Sequence, residues 1–435
     1  MNRVVKFIVR RVYMLVVTVF LVSIAVFAIT ESSPGNIAKN VLGAFITPEQ
    51  EASFLAQMGL DKPAYLRFIF WLAGSDWYAG HKSGFDFERV INSQGFDEWW
   101  ALDEQDRLVC WKLEGENLVA LVRQPDGSVK KEVDNSRWRT DAQGKEFFWG
   151  MDRQNRVAKW QKGADNETWT FLEGMGWQKA AGAPVAYIPM RKGILRLDPG
   201  ISLRTGRPVG PTLVVRLRNS MVLAGLAIAI IMPIALFLGI ISGLNEGTWL
   251  DRILSTSGMI FTVIPEFVTG IILILLLTVI FPIFPGATIF GEEAPWARPD
   301  MLVLPVLTLT LIELGYILRI TRASMAETIQ SSYIRTAFLK GLPYWKVVIV
   351  HSLRNALIAP VTVIMLHVTW LLGGIVIVEV VFGYPGLGKY TLDAALYKDV
   401  NVLEACSMIL VVVAVGSQLV ADIVYTFLNP RIRYN

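Results

Sequence analysis

The sequence predicts an α-helical integral membrane protein with six transmembrane helices and a β-rich, hairpin-repeat domain inserted between helices 1 and 2. Three observations predict it. The 435 residues are 53% hydrophobic and 18% charged, with a mean hydropathy of +0.45, where a soluble domain is nearer 45–50% and 25%. The charge is unevenly placed: residues 73–192 carry 19 acidic and 17 basic side chains, 30% of that stretch, against 13% in the remaining 315 residues. Nine of the 14 Trp lie in the same stretch. These features exclude a purely soluble enzyme, a disordered chain and a nucleic-acid binder, because a net charge of +4 is too small and diffuse to be a phosphate footprint. Two Cys and three His, far apart in sequence, offer neither a disulfide framework nor a metal-ligand spacing.

Six apolar runs account for the helices. Val12–Thr30 is 19 uncharged residues, enough to cross a hydrocarbon core of roughly 30 Å. It follows Arg3, Lys6, Arg10 and Arg11 and has no small-x-small cleavage site, so it reads as an uncleaved anchor. The others are Asn219–Asn245, Ile253–Phe281, Met301–Ile320, Ala356–Val378 and Val402–Leu428. With the N-terminus inside, the short cytoplasmic pieces hold 13 Lys and Arg, and the short external loops hold only Arg298, Lys389 and Lys398. The positive-inside rule therefore places both termini in the cytoplasm and the charged domain outside. The expected domains are 1–72 (anchor and first external segment), 73–192 (inserted β domain) and 193–435 (helices 2–6, with a cytoplasmic loop at 319–355).

The insert is a repeat. Trp100-Ala-Leu-Asp103-Glu-Gln105-Asp-Arg107, Trp138-Arg-Thr-Asp141-Ala-Gln143-Gly-Lys145 and Trp149-Gly-Met-Asp152-Arg-Gln154-Asn-Arg156 share one pattern, W-x-x-D-x-Q-x-[RK]. Asp accepts from turn backbone and Gly144 or Asn155 tolerates positive φ, so each copy predicts a strand, a tight turn and a strand. Glu114-Gly115-Glu116-Asn117 and Gln124-Pro125-Asp126-Gly127 are further turns of a β-meander. The Trp residues predict either the filling of a thin core, the favoured reading, or a stacking platform for sugars or a face for a docking partner.

The most informative membrane stretch is Tyr333-Ile-Arg335-Thr336-Ala337-Phe-Leu-Lys340-Gly341-Leu342, followed by His351-Ser-Leu-Arg354-Asn355-Ala356-Leu-Ile-Ala-Pro360. A short helix, a Gly and a second amphipathic helix entering the membrane suit a docking element. This loop resembles the coupling loop of permease subunits of binding-protein-dependent ABC importers, in the B-type branch of the dipeptide/oligopeptide/nickel family. Further matches are Ser33-Pro34-Gly35, Gly59-Leu60-Asp61-Lys62-Pro63, Asp198-Pro199-Gly200-Ile201-Ser202, Trp249-Leu250-Asp251-Arg252, Ile264-Pro265, Val378-Glu379, Pro385-Gly386-Leu387-Gly388, Asp422, Tyr425 and Asn429-Pro430-Arg431. The resemblance covers about residues 1–72 and 193–435 and assigns nothing to the insert.

The resemblance implies a non-catalytic subunit of the bacterial inner membrane, surrounded by lipid and importing peptides, or oligosaccharides as the alternative cargo. Its implied partners are a second homologous permease, two cytoplasmic ATPases and a periplasmic or lipid-anchored substrate-binding protein. ATP and Mg²⁺ would be bound by the ATPases, with no cofactor in this chain. Arg335, Thr336, Ala337, Lys340, Gly341 and Leu342 would form the ATPase-coupling loop, with Ala337 and Gly341 where the coupling helix fits a groove. A membrane sensor or a stand-alone secondary transporter ranks lower, since no kinase, cyclase or DNA-binding module is present. Gly383-Tyr-Pro-Gly-Leu-Gly388-Lys389-Tyr390 nearly reads as a phosphate-binding loop, but Tyr390 lacks the compact hydroxyl that holds Mg²⁺.

Ionisable groups at membrane depth complete the candidates. Glu266, about 13 residues or roughly 20 Å into span three, and His367 lie near mid-membrane, and Glu313 lies in span four. They are expected either to line a translocation path or to satisfy one another.

Overall fold

The computed structural model describes residues 3–32, 37–43, 45–93, 95–162, 169–172, 176–179, 184–288 and 294–428. Ser33, Pro34, Gly35 and Asn429 to Arg433 of the sequence motifs lie outside these, as do the side chains of Asp422 and Tyr425. The chain divides into two compact units: one of residues 26–212 with 394–405, the other of residues 1–25, 213–393 and 406–435.

The first unit holds every strand: β1 (Asp86–Ile91), β2 (Asp97–Leu102), β3 (Leu108–Glu114), β4 (Asn117–Arg123), β5 (Val129–Val133), β6 (Arg139–Thr140), β7 (Glu146–Met151), β8 (Arg156–Gln161), β9 (Trp169–Leu172), β10 (Gly176–Lys179) and β11 (Pro184–Pro189). β1 to β5 form an antiparallel meander in sequence order. The second sheet runs β11-β8-β7-β6, so β11 takes the place beside β8 that a continued meander would give to β9, and β9 pairs with β10 alone.

The repeated turns are alike in detail. One carboxylate oxygen of Asp103, Asp141 and Asp152 accepts the backbone N–H groups two and four residues on, all at 2.9–3.1 Å. The residue before the basic position has positive φ in each copy: Asp106 (56°), Gly144 (79°) and Asn155 (59°). Asp, Gly and Asn are the types that tolerate this region, so the repeat is a backbone requirement written three ways.

The tryptophans fill the core. Trp99, Trp100, Trp111 and Trp160 are buried, and Trp138 and Trp149 pack against them. Trp111 meets Phe148 edge-on at 5.2 Å, and Phe148 stacks on Trp160 at 6.0 Å. At about 25 cal/mol per Å² and 150–250 Å² per ring, each buried indole contributes at most roughly 4–6 kcal/mol. Burial on this scale removes the sugar-platform reading for these indoles, because the faces a ligand would stack on are inside the protein.

The second unit is helical. Four helices are long and apolar enough to cross a membrane: Val9–Glu31, Val209–Leu244, Pro299–Ile329 and Val400–Val420, with Val9–Glu31 and Val400–Val420 each running through both units. Two bent pairs bring the number to six if each is one span. The expected continuous span Ile253–Phe281 is one of them: Trp249–Val263 and Glu266–Ile280 meet at 103°. The break falls at Ile264-Pro265, where proline removes an N–H and disfavours helix in the residue before it. The other pair, Tyr344–Ala356 and Ile358–Ile364, bends by 42°.

Helices in lipid gain little from hydrophobic burial against each other, so close packing and polar contacts decide. Gly258 and Gly315 face one another, and a methyl on Gly258 would sit 3.2 Å from the Gly315 Cα. Gly239 and Gly243 press in the same way on Thr321, Arg322 and Met325. Where these three helices meet, Asp251 is buried and receives Arg322 in a two-pronged pair, Nε at 2.6 Å and Nη2 at 2.8 Å. It also accepts from Ser242 at 2.6 Å and from the Gly247 N–H at 2.9 Å.

Removing only one member of such a pair strands a charge. Asp251→Ala is expected to cost about 3–5 kcal/mol, and Asp251→Ala with Arg322→Met to recover much of it, read as thermal unfolding in detergent. A single variant that melts with the parent would remove the pair from this role.

The turn carboxylates add a pH dependence. Burial pushes Asp103 up, but the Arg107 and Gln105 N–H groups and the Arg107 guanidinium outweigh it and hold the carboxyl below 3.8. The Lys145 N–H holds Asp141 low against a smaller burial effect. Depressed values stabilise the fold above the unfolded pKa, and that stability is lost as pH falls through the folded values. Near-UV circular dichroism of the Trp core is therefore expected to hold from pH 6 to about 4 and to fade below it, with Asp141→Asn flattening the profile; an unchanged profile in that variant would contradict this account.

Candidate functional site

The polar residues of the helical unit fall into three groups. The first is a clasp at the end of the helix Ile358–Val381. Glu379 is buried there; it accepts from the Ser220 hydroxyl and from the Lys389 N–H at 2.8 Å. The Leu387 N–H donates to the Ser220 oxygen at 2.7 Å, Asn219 donates to the Pro385 carbonyl at 2.9 Å, and the Tyr384 hydroxyl donates to the Asn219 carbonyl at 2.7 Å. Glu379 thus sits over the start of the helix Leu387–Tyr397, as an anion sits at a helix N-terminus. This explains the near-miss of the phosphate-loop pattern. The Gly-rich turn does cradle an acidic group, and that group is the chain's own Glu379 carboxyl. Gly386 lies so close to the Glu379 carboxyl that a side chain there would overlap it.

The second group is at membrane depth. His367 Nδ1 and Glu313 Oε2 are 2.9 Å apart, and the Tyr316 ring stacks on the imidazole at 4.2 Å. Glu313 is buried, and its other oxygen has no hydrogen-bond partner among the described residues. The pair borders a cavity of about 20 Å³ whose other walls are Ile228, Ile231, Met232, Ile317 and Ile364. That is room for about one water. Glu266 stands apart. It opens the helix Glu266–Ile274 directly after the break, half-buried, with no side-chain partner among the described residues. So His367 meets Glu313 and not Glu266, and Glu266 lies at a joint rather than along a straight span.

The third group is the loop. Ser332–Leu339 is a helix whose Ile334 and Ala337 are buried against Val347 and Leu342. Ala337 therefore points into its own chain. Arg335, Thr336, Lys340 and Gly341 are exposed, and Gly341 ends the helix with φ +75°, where nothing lies near a would-be Cβ. Leu342 is half-buried. The outward surface is apolar: Leu339 is 81% exposed and Trp345 62%, beside Tyr344, which stacks on Phe338 at 6.1 Å.

Sequence reasoning missed several partners. Ser220 and Arg322 lie in or next to apolar runs, and nothing in one dimension links Arg322 to Asp251 71 residues away. Asp399, in the first unit, was also missed. It accepts from the Ser202 hydroxyl, the Leu203 N–H at 3.1 Å and the Val402 N–H at 3.4 Å, tying the Asp198–Ser202 motif to the start of the helix Val400–Leu428.

Residues 235–434 match the family described as binding-protein-dependent transport system inner membrane component, and residues 4–84 match its N-terminal membrane component. A putative peptide transport system permease of Brucella abortus is 32% identical over 245 residues, 56% of this chain and 77% of the relative. An oligopeptide transport system permease of Bacillus subtilis is 33% identical, covering 58% and 80%. A dipeptide transport system permease of Escherichia coli is 30% identical, covering 56% and 78%. With two family matches on the permease portions and relatives covered over more than three-quarters of their length, the chain belongs to the multi-pass inner-membrane permeases of binding-protein-dependent ABC importers.

Proposed function

We propose that this chain is one half of the translocation path of an ATP-driven peptide importer. The observation that carries the reading is the projecting loop. A helix fixed from below by Ile334 and Ala337 presents Leu339, Tyr344 and Trp345 outward. Exposed large apolar side chains on a rigid mount mark a protein contact. Two cytoplasmic ATPases dock here in this reading. They bind ATP and Mg²⁺, and a second homologous permease completes the path. A substrate-binding protein delivers cargo from outside. Both termini are cytoplasmic, the six spans include the bent pair Trp249–Val263 with Glu266–Ile280 and the helix Ile358–Val381, and residues 73–192 form an extracytoplasmic domain between the anchor segment 1–72 and the permease core 193–435. Peptides are the cargo because the relatives named above are peptide, oligopeptide and dipeptide permeases. The oligosaccharide alternative is weakened by the burial of Trp99, Trp100, Trp111 and Trp160.

Within the path, Glu266 contributes an unpaired carboxylate at a helix break, and discontinuous helices are where transporters place polar cargo.

Two measurements test this. Trp345→Ala with Leu339→Asp is expected to weaken ATPase association by at least about 2 kcal/mol, roughly 30-fold, seen as loss of co-purified ATPase from a permease that still folds. Full retention of ATPase would refute the docking surface. Glu266→Gln is expected to lower peptide uptake into proteoliposomes while leaving ATPase docking intact; uptake equal to the parent would remove Glu266 from the path.

A further inference from the structure

The first unit includes the C-terminal end of the helix Arg3–Ser32, and a short apolar helix is fixed to that end. Ala64–Ala73 reads AYLRFIFWLA. Its Phe68 ring packs edge-on to Phe27 at 5.2 Å, Trp71 lies 6.4 Å from the same ring, and Arg67 pairs with Glu31. Phe27 is three residues, about 4.5 Å along the helix, from Thr30, where the uncharged run ends. The short helix is thus held at the level where a spanning helix leaves the hydrocarbon.

Its faces are distinct. Leu66 and Phe70 enter the Trp core. Tyr65 is 69% exposed and Ile69 is also exposed. The turn Ile194–Arg196 is locked beside it. Arg196 donates to the Ala73 carbonyl at 2.8 Å and makes a two-pronged pair with Asp76 at 2.6 and 2.7 Å. The Gly74 and Gly193 backbones are too close for any side chain between them. This lock leaves Leu195 and Leu197 projecting at 70% and 90% exposure, Leu197 with φ +59°. Trp77 is also exposed, its indole N–H tied to the Gly74 carbonyl at 2.8 Å. The nearby Lys82 has no carboxylate partner among the described residues and leans over the Tyr78 ring.

We propose that Ala64–Ala73 and the turn Ile194–Arg196 form a lip lying in the headgroup region of the bilayer, with Tyr65, Ile69, Trp77, Leu195 and Leu197 covered by lipid. Two arguments select lipid as the occupant. The patch is held at the level of the membrane surface, since Phe68 and Arg67 of the short helix meet Phe27 and Glu31 where the apolar run ends. Its composition is also that of an interface: Trp and Tyr with aliphatic side chains and a flanking cation, the mix that settles between headgroups and acyl chains. The lip would hold the base of the strand-bearing unit flat on the membrane. The inference rests on the membrane-spanning reading of Arg3–Ser32 and is independent of cargo.

The test places one nitroxide at Ile69→Cys, or separately at Leu197→Cys, in the assembled transporter in lipid nanodiscs; Cys110 and Cys406 are buried and stay unlabelled. Collisions with oxygen, which concentrates in hydrocarbon, are compared with those of a water-soluble nickel chelate. Labels at Ile29 and Val129 give the lipid and water references. The expected result is a loss of nickel collisions with oxygen collisions retained, close to the Ile29 reference and unchanged by the binding protein. A water-like ratio at both positions overturns the proposal. So does protection from both collision partners, which would mean that a protein covers the patch. An Ile29 label that itself reads as water would locate the failure in the membrane reading.

Discussion

A charge removed from water has to be met inside the protein, and the pair Asp251–Arg322 is where the helical unit meets that demand. Its two donors, with the Ser242 hydroxyl and the Gly247 N–H, satisfy one buried carboxylate from three directions. Those groups come from Val209–Leu244, from the turn that follows it and from Val303–Ile329, and they meet on the first turn of Trp249–Val263. The glycine contacts depend on it. Gly258 against Gly315, and Gly239 and Gly243 against Thr321 and Met325, are surfaces of shape alone. Shape fixes how close two helices come, but it tolerates rotation and sliding. A bidentate guanidinium–carboxylate pair does not, because both N–H directions must be kept. Polar geometry sets the register, and small residues then allow the backbones to close.

The same device recurs at Glu379. There the partners are backbone N–H groups at the start of a helix rather than a cation, so a carboxylate replaces the missing intrahelical acceptors. Gly386 follows from this contact: a methyl would occupy the space of the carboxyl oxygens. In the strand-bearing unit Asp399 does the equivalent for Val400–Leu428 while holding the 202–204 backbone. Three buried carboxyl groups therefore account for motif residues that had no evident chemistry in the sequence.

Much of the architecture was legible because it is local. Apolar runs placed the helices, and the triple W-x-x-D-x-Q pattern gave the turns down to the position that takes positive φ. The misses are non-local. Ile264-Pro265 signals a break, but an uninterrupted apolar run on both sides hid a bend of 103°. β9 follows β8 in the chain, yet β11 pairs with β8, and no local pattern orders strands in a sheet. By depth in the membrane, His367 and Glu266 are candidates for one another. His367 meets Glu313, 54 residues away, and the sequence holds no signal to choose between the two carboxylates.

The loop shows how position in a motif and direction of a side chain differ. Ala337 reads as a small residue that lets another protein approach. Instead its smallness serves the chain itself: it lies against Val347, under the helix. A helix turns by 100° per residue, so with Ile334 and Ala337 inward, the positions two on from each, Thr336 and Leu339, must face out. Leu339, on the final turn, then stands clear of the surface, and Gly341 reverses the chain so that Tyr344 and Trp345 come up beside it. The surface that this loop presents is accordingly a raised apolar knob rather than a small-residue groove.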